Sequence, residues 1–273
     1  MNKLLNQPEP VFSFTIPYYI SEHGETDELF VSEKTYEKYL ETLKQENVIV
    51  INGNLHPISS DYGEVTTTLF DQEKAVIVIG TKDLEEYTNE LLDIAIAQEL
   101  EKILLIEKQK FYRFLYNEKT PETVQIFIDD FQQTIEEIHI AKRLKKDGYR
   151  ITEREQLLAN DIFKNTMHWS TLRNLMPYEN EHALFLLTKL FYLSYIEENL
   201  FQQYKKQLQT HYPLLFIEVE KLIKETQKLN FSTMKGREKA LTKVFTKLNY
   251  LKYVKKVGIE QIGKFNFPVK MLN

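Results

Sequence analysis

Apolar positions change their rhythm near residue 80. Over 11–20 (VFSFTIPYYI), β-branched and aromatic residues crowd together, which predicts a strand. Pro17 has no N–H to give a ladder, so that run is expected at a sheet edge or as two short pieces. Residues 22–28 read as a polar loop around Gly24. Ser32 offers a helix N-cap ahead of Tyr36, Tyr39, Leu40 and Leu43, which keep helical spacing. The run 48–51 (VIVI) before Asn52-Gly53 predicts a strand closed by a tight turn. Residues 65–70 and 75–79 predict a further strand pair across a short connection.

Beyond Gly80 the strand pattern fades and helical spacing takes over. Helices are predicted over 83–116, 121–146, 152–168, 178–208, 213–229 and 237–256. Pro121, Pro177 and Pro213 suit first helical positions, and Gly148 suits a helix end. Thr152 followed by Glu155 reads as a capping box. The segment 83–116 is apolar on more than one side, which predicts a central, buried helix. Its remaining face carries Asp83, Glu86, Glu90, Asp93 and Glu101, an acidic stripe expected to be solvated or to receive a basic partner. The resulting expectation is an α+β protein, predominantly α. A small mixed α/β unit over 1–82 precedes a larger helical bundle over 83–273 with a basic C-terminal segment.

Composition narrows the chemistry. The chain has 273 residues and no cysteine, which removes disulfides, thiolate nucleophiles and Cys-ligated metals. There is no phosphate-binding G-x-x-x-x-G-K-[ST] loop and no G-x-G-x-x-G turn. The richest apolar run, 184–196, is interrupted by Lys189 and is too short to span a bilayer. With no apolar run near the start that suits a secretory signal, a cytoplasmic location is expected.

Charge is unevenly distributed. Residues 1–220 hold 22 Lys and Arg against 37 Asp and Glu, whereas 221–273 hold 13 against 3. Such asymmetry predicts a contact with an anionic partner or with the chain's own acidic surface. In 237–256, Leu241, Val244, Phe245, Leu248 and Leu251 form an apolar stripe. Lys239, Lys243 and Lys247 line another face at spacing four, followed by Lys252, Lys255 and Lys256. One continuous basic amphipathic helix is expected there. Because the segment is rich in lysine and holds a single arginine, Arg237, any nucleic-acid contact is expected to lack sequence specificity.

Two constellations suggest metal chemistry. Residues 96–102 (IAQELEK), on an apolar helix after strands, loosely resemble the active-site helix of small zinc metallopeptidases, whose motif is H-E-x-x-H. Glu99 matches, but Gln98 and Lys102 occupy the histidine positions, so the resemblance implies a non-catalytic descendant without zinc. The second is a double E-x-x-H pattern, Glu136/His139 and Glu179/His182, on separate predicted helices. Di-iron carboxylate bundles use two such pairs with further glutamates from neighbouring helices.

These readings order the functional expectations. The first is a non-enzymatic regulatory or interaction protein that needs no cofactor. It would bind a protein or polyanion through Lys239, Lys243, Lys247, Lys252, Lys255 and Lys256. The alternatives are a metal-dependent oxidoreductase built on the two E-x-x-H pairs, and a degenerate metallopeptidase-like protein.

Overall fold

A computed structural model describes residues 11–55, 66–70, 74–108, 112–166, 178 and 180–258. The fold is α+β and predominantly helical, with a small mixed sheet in the N-terminal part and a helical region after it. Two compact units divide the chain, one reaching Gln109 and the other starting at Lys110.

The first unit contains strands β1 (Phe14–Tyr19), β2 (Thr26–Val31), β3 (Val48–Asn52), β4 (Thr67–Phe70) and β5 (Ala75–Ile79). Its helices are α1 (Glu33–Leu43), α2 (Thr81–Glu86) and α3 (Asn89–Lys108). The sheet order is β2-β1-β3-β5-β4; β1/β3 and β3/β5 are parallel, β1/β2 and β4/β5 antiparallel. Ser32 caps α1 as expected, its Oγ accepting from the Thr35 N–H. Two expectations need correction. Residues 26–28, expected as part of a polar loop, belong to strand β2, which a complete antiparallel ladder holds to β1. The strand with Pro17 is not at the edge. It tolerates the proline because its ladder to β3 touches only at Tyr19 opposite Ile51, beyond the missing N–H.

One face of the sheet meets the helices. Ile16, Leu29, Val31, Val50, Ile77 and Ile79 bury against Leu92, Ile96, Leu100 and Ile103 of α3, with Tyr36 and Tyr39 of α1 alongside. The first unit therefore extends past residue 82, since α3 supplies the layer without which that face would lie in water. The acidic stripe also differs from expectation. Asp83, Asp93 and Glu101 are buried. Asp83 accepts from the Thr66 N–H at 2.7 Å. Asp93 accepts from both the N–H and Oγ of Ser32, each at 2.8 Å. Glu101 pairs with Lys38 of α1. These carboxylates tie α2 and α3 to their own unit and present no acidic face for a partner.

The second unit is built around α6 (Glu181–Ile196). Leu184, Leu186, Leu187, Leu190 and Phe191 are all fully buried and make a broad apolar face, while Phe185 and Lys189 lie on the side left partly open. Around it lie α4 (Glu122–Lys146), α5 (Ile151–Thr166), α7 (Glu198–Leu208), α8 (Pro213–Thr226) and α9 (Met234–Lys247). Phe131 of α4 meets Phe191 with ring centroids 4.9 Å apart. The helix expected over 178–208 is broken at Glu197, whose φ of −138° and ψ of 75° leave the helical region. Its carboxylate receives Lys145 and Thr152, each at 2.6 Å. That is why the capping box is not made. The helix begins at Ile151, Thr152 turns to Glu197, and buried Glu155 accepts from the Tyr192 hydroxyl at 2.9 Å.

The helices predicted over 83–116 and 237–256 both end in strands instead. Residues 112–116 form β6 (Tyr112–Tyr116), antiparallel to β7 (Val254–Gly258). Gln132 of α4 closes on β6, accepting from the Phe114 N–H and donating to its carbonyl. Helix α9 stops at Lys247 because Asn249 adopts φ 60°. The Tyr250 N–H returns to the Phe245 carbonyl and the Asn249 N–H to that of Thr246, the double bond pattern of a Schellman cap. Gly148 ends α4 in the same way, with φ 87° and the Tyr149 N–H on the Leu144 carbonyl.

The cap makes a prediction about stability. Asn249→Val should cost about 1–2 kcal/mol, the penalty of a left-handed conformation in a residue with a bulky Cβ. Asn249→Gly should be neutral or mildly stabilising. Urea unfolding of the three proteins checks this, and equal midpoints would show that the cap does not hold the turn.

Candidate functional site

The residues with metal-ligand character are already engaged. Glu99 pairs with Lys102 at 3.4 Å, so the position of the second histidine in the metallopeptidase pattern holds a cation facing the glutamate. Glu136 pairs with Arg113 at 2.7 Å. His139 lies buried one turn further along α4, where its imidazole meets the fields of Arg237 and Arg143. A cation at this place would meet guanidinium groups on several sides. His182 is exposed in the first turn of α6, its N–H on the Asn180 side chain. Glu179, the other half of its pair, lies outside the described residues. Among the described residues no group of three or more His, Asp or Glu side chains is arranged to hold a metal ion.

The lysine segment is held by a tightly built turn. Thr233 caps α9, its Oγ1 accepting from the Gly236 N–H at 3.0 Å and donating to the Asn230 carbonyl at 3.1 Å. A Cβ at Gly236 would stand 1.7 Å from that carbonyl, so only glycine fits where the chain from α8 passes the first turn of α9. Arg237 is buried and donates to the Phe231 carbonyl at 3.0 Å. Ala240, Leu241, Val244 and Phe245 form the buried row, with the Phe245 ring edge-on to Phe114 at 5.3 Å. Leu251 falls outside this row because the helix has already ended, and it is exposed.

This corrects the expected single helix over 237–256. Lys239, Lys243 and Lys247 lie on the outer side of α9, Lys252 in a short 3-10 turn, and Lys255 and Lys256 on β7. All six are exposed. Exposed Lys221 and Lys224 on α8, Lys228 just after it and Lys235 in the first turn of α9 extend the basic character beyond the residues singled out from sequence, Lys221 being paired with Glu218. Spacing along α8 could have shown Lys221 and Lys224, since a three-residue step keeps one helical face; Lys228 lies beyond the helix, which ends at Thr226. Local contacts link the three elements. The Lys243 Nζ donates to the Glu225 carbonyl, Lys247 lies 3.8 Å from the Glu225 carboxylate, and Lys256 pairs with Glu238. Lys252 lies over the Tyr253 ring at 4.9 Å. Among the described residues no carboxylate pairs with Lys224, Lys228, Lys235, Lys239 or Lys255.

Compared with protein-family models, curated proteins and solved structures, the chain matches none. Among the described residues, no helix is long and apolar enough to cross a membrane.

The buried imidazole gives a pH prediction. Burial, then Arg237 and Arg143, push His139 down to about 4, and its Nε2 has no hydrogen-bond partner. The unfolded chain takes up this proton near pH 6.5, before the folded one does. Stability is therefore full above about pH 6.5 and declines as the pH falls toward 4, by on the order of 2–3 kcal/mol. Asp130, raised to about 6 chiefly by burial, works in the opposite sense, its contribution fading as the pH rises through that value. Comparing His139→Leu with the native chain isolates the histidine. The variant should lose that part of the acid slope and keep or gain stability at pH 7.5. Parallel pH profiles for the two proteins would rule the linkage out.

Proposed function

We propose that this chain is an interaction protein, working by binding rather than catalysis, that engages an anionic macromolecule through the lysine surface of α8, α9 and β7. One observation carries the reading. All ten lysines of residues 221–258 are exposed, whereas the two acids of that stretch, Glu225 and Glu238, are half-buried and each is met by a lysine. A surface of this kind repels itself until an anion neutralises it. Its lysines contribute little to the fold, since exposed ion pairs are worth only about 0–1 kcal/mol. Their concentration on one sequence stretch therefore makes sense as a contact.

Retention on immobilised heparin tests the reading. The variant Lys239→Glu, Lys243→Glu, Lys247→Glu should elute at clearly lower salt than the native protein, with a nearly unchanged melting temperature. Charge alone is controlled by Lys44→Glu, Lys82→Glu, Lys119→Glu, which reverses three exposed lysines elsewhere. That control should elute close to the native protein. Equal displacement of both variants would show that net charge, not this surface, governs the binding.

A further inference from the structure

We infer that the anionic partner is a nucleic acid, held by its phosphodiester backbone without reading of the base sequence. This rests on the lysine surface being the binding face and adds the identity of what it meets.

Three structural facts favour this partner. The first is the fate of the one guanidinium in the segment. Bidentate contact with a guanine edge is the commonest specific contact to a base, and it needs a free arginine fork. Arg237 is buried and bonded to the Phe231 carbonyl, so it is turned away from any ligand on the outer face of α9. What remains outside are ammonium groups, compact point charges that neutralise phosphates equally well on any sequence.

The second fact concerns apolar anchors. Protein interfaces centre on buried aromatic and aliphatic side chains, and lysine is depleted from them. Among the described residues of α8, α9 and β7, the only large apolar side chain that stands well exposed is Ile217, with Leu251 in the connecting turn. The lysines far outnumber these two. A membrane surface demands an apolar face that can enter the lipid, but Leu241, Val244 and Phe245 of α9 are already in the core.

The third fact is repetition. Lys235, Lys239, Lys243 and Lys247 follow the start and body of α9 at steps of four, with Lys224 on the neighbouring α8 and Lys228 just beyond its end; Lys221 is paired with Glu218. Such steps put one charge on each helical turn, about 5–6 Å apart. A linear polymer with a charge on every residue can engage several of these at once and release a counterion for each. The contacts of Lys243 and Lys247 with Glu225, and of Lys256 with Glu238, mark α8, α9 and β7 as neighbours on one basic surface.

Fluorescence anisotropy with the full chain tests this, using labelled single strands and duplexes of about 20 units, in DNA and in RNA, at several salt concentrations. We expect binding that weakens linearly on a log–log salt plot. The Lys239→Glu, Lys243→Glu, Lys247→Glu variant should lower that slope by about 2–3, with duplex at the upper end and single strands at the lower. Changing the base sequence should alter affinity by less than about fivefold, the least that one bidentate contact would give. A second variant, Lys224→Glu, Lys228→Glu, Lys255→Glu, should behave alike; circular dichroism identifies either variant if it fails to fold. If heparin retention depends on these lysines but no nucleic acid binds, the inference is overturned and the lysine-surface reading stands. Lysine-dependent binding to phosphatidylserine vesicles without nucleic-acid binding overturns it in favour of a membrane. If heparin retention does not depend on the lysines, the underlying reading falls as well.

Discussion

The second unit depends on burying a helix whose apolar face is unusually broad. Helix α6 presents a broad apolar face, five of whose residues are fully shielded from water, and leaves Phe185 and Lys189 on its more open side. Covering so wide a face takes several neighbours, and α4, α7 and α8 provide them. Each buried Leu or Phe contributes roughly 1.5–3 kcal/mol relative to exposure. The polar interruption in this run, Lys189, is accommodated rather than expelled. Its ammonium lies 5.5 Å from the Phe185 ring centre and faces the field of Asp130. Its stem adds to the apolar cover while its head finds negative charge.

Internal carboxylates recur in both units, and each has an assigned task. In the first unit Asp93 locks α3 to the cap of α1, and Glu101 meets Lys38 across the same helix pair. In the second, Glu155 joins α5 to α6 through Tyr192, and Glu197 receives groups from α4 and α5 at the α6–α7 break. Leaving a charge of this kind unpartnered inside costs far more than the pair gains, so these contacts specify which helices meet. The same accounting keeps the outer lysines outside, where water or an external anion compensates them.

The fold class and most elements were legible because periodicity reports which face is buried. The Ser32 cap, the Gly148 stop, Pro213 at the start of α8 and the β4/β5 pair all follow from local rules. Strands β2, β6 and β7 were not legible. β2 carries Thr26, Asp27 and Glu28 on exposed positions and is a strand because β1 offers it a ladder. In β6 the alternation of Tyr112, Phe114 and Tyr116 was a signal, but it lay at the end of a long helical pattern, and its partner β7 is more than 130 residues away. No local propensity encodes a pairing over that separation.

For the candidate site, the sequence by itself determined the inventory: an absence of cysteine chemistry, an excess of lysine after residue 220 and an apolar stripe to hold α9 down. Those are properties of residue types and spacing, which the chain carries into any fold. Only the tertiary structure decided accessibility and company. It buried Asp83, Asp93 and Glu101, which spacing alone had placed on a solvent face. It set Arg113 against Glu136, and Arg143 and Arg237 near His139, where spacing alone had suggested metal ligands. It ended α9 at Asn249 and sent the last lysines onto β7. The physical reason is common to all three. Charge and polarity act through distance and dielectric, and both are set by which distant segments fold against a residue rather than by its neighbours in the chain.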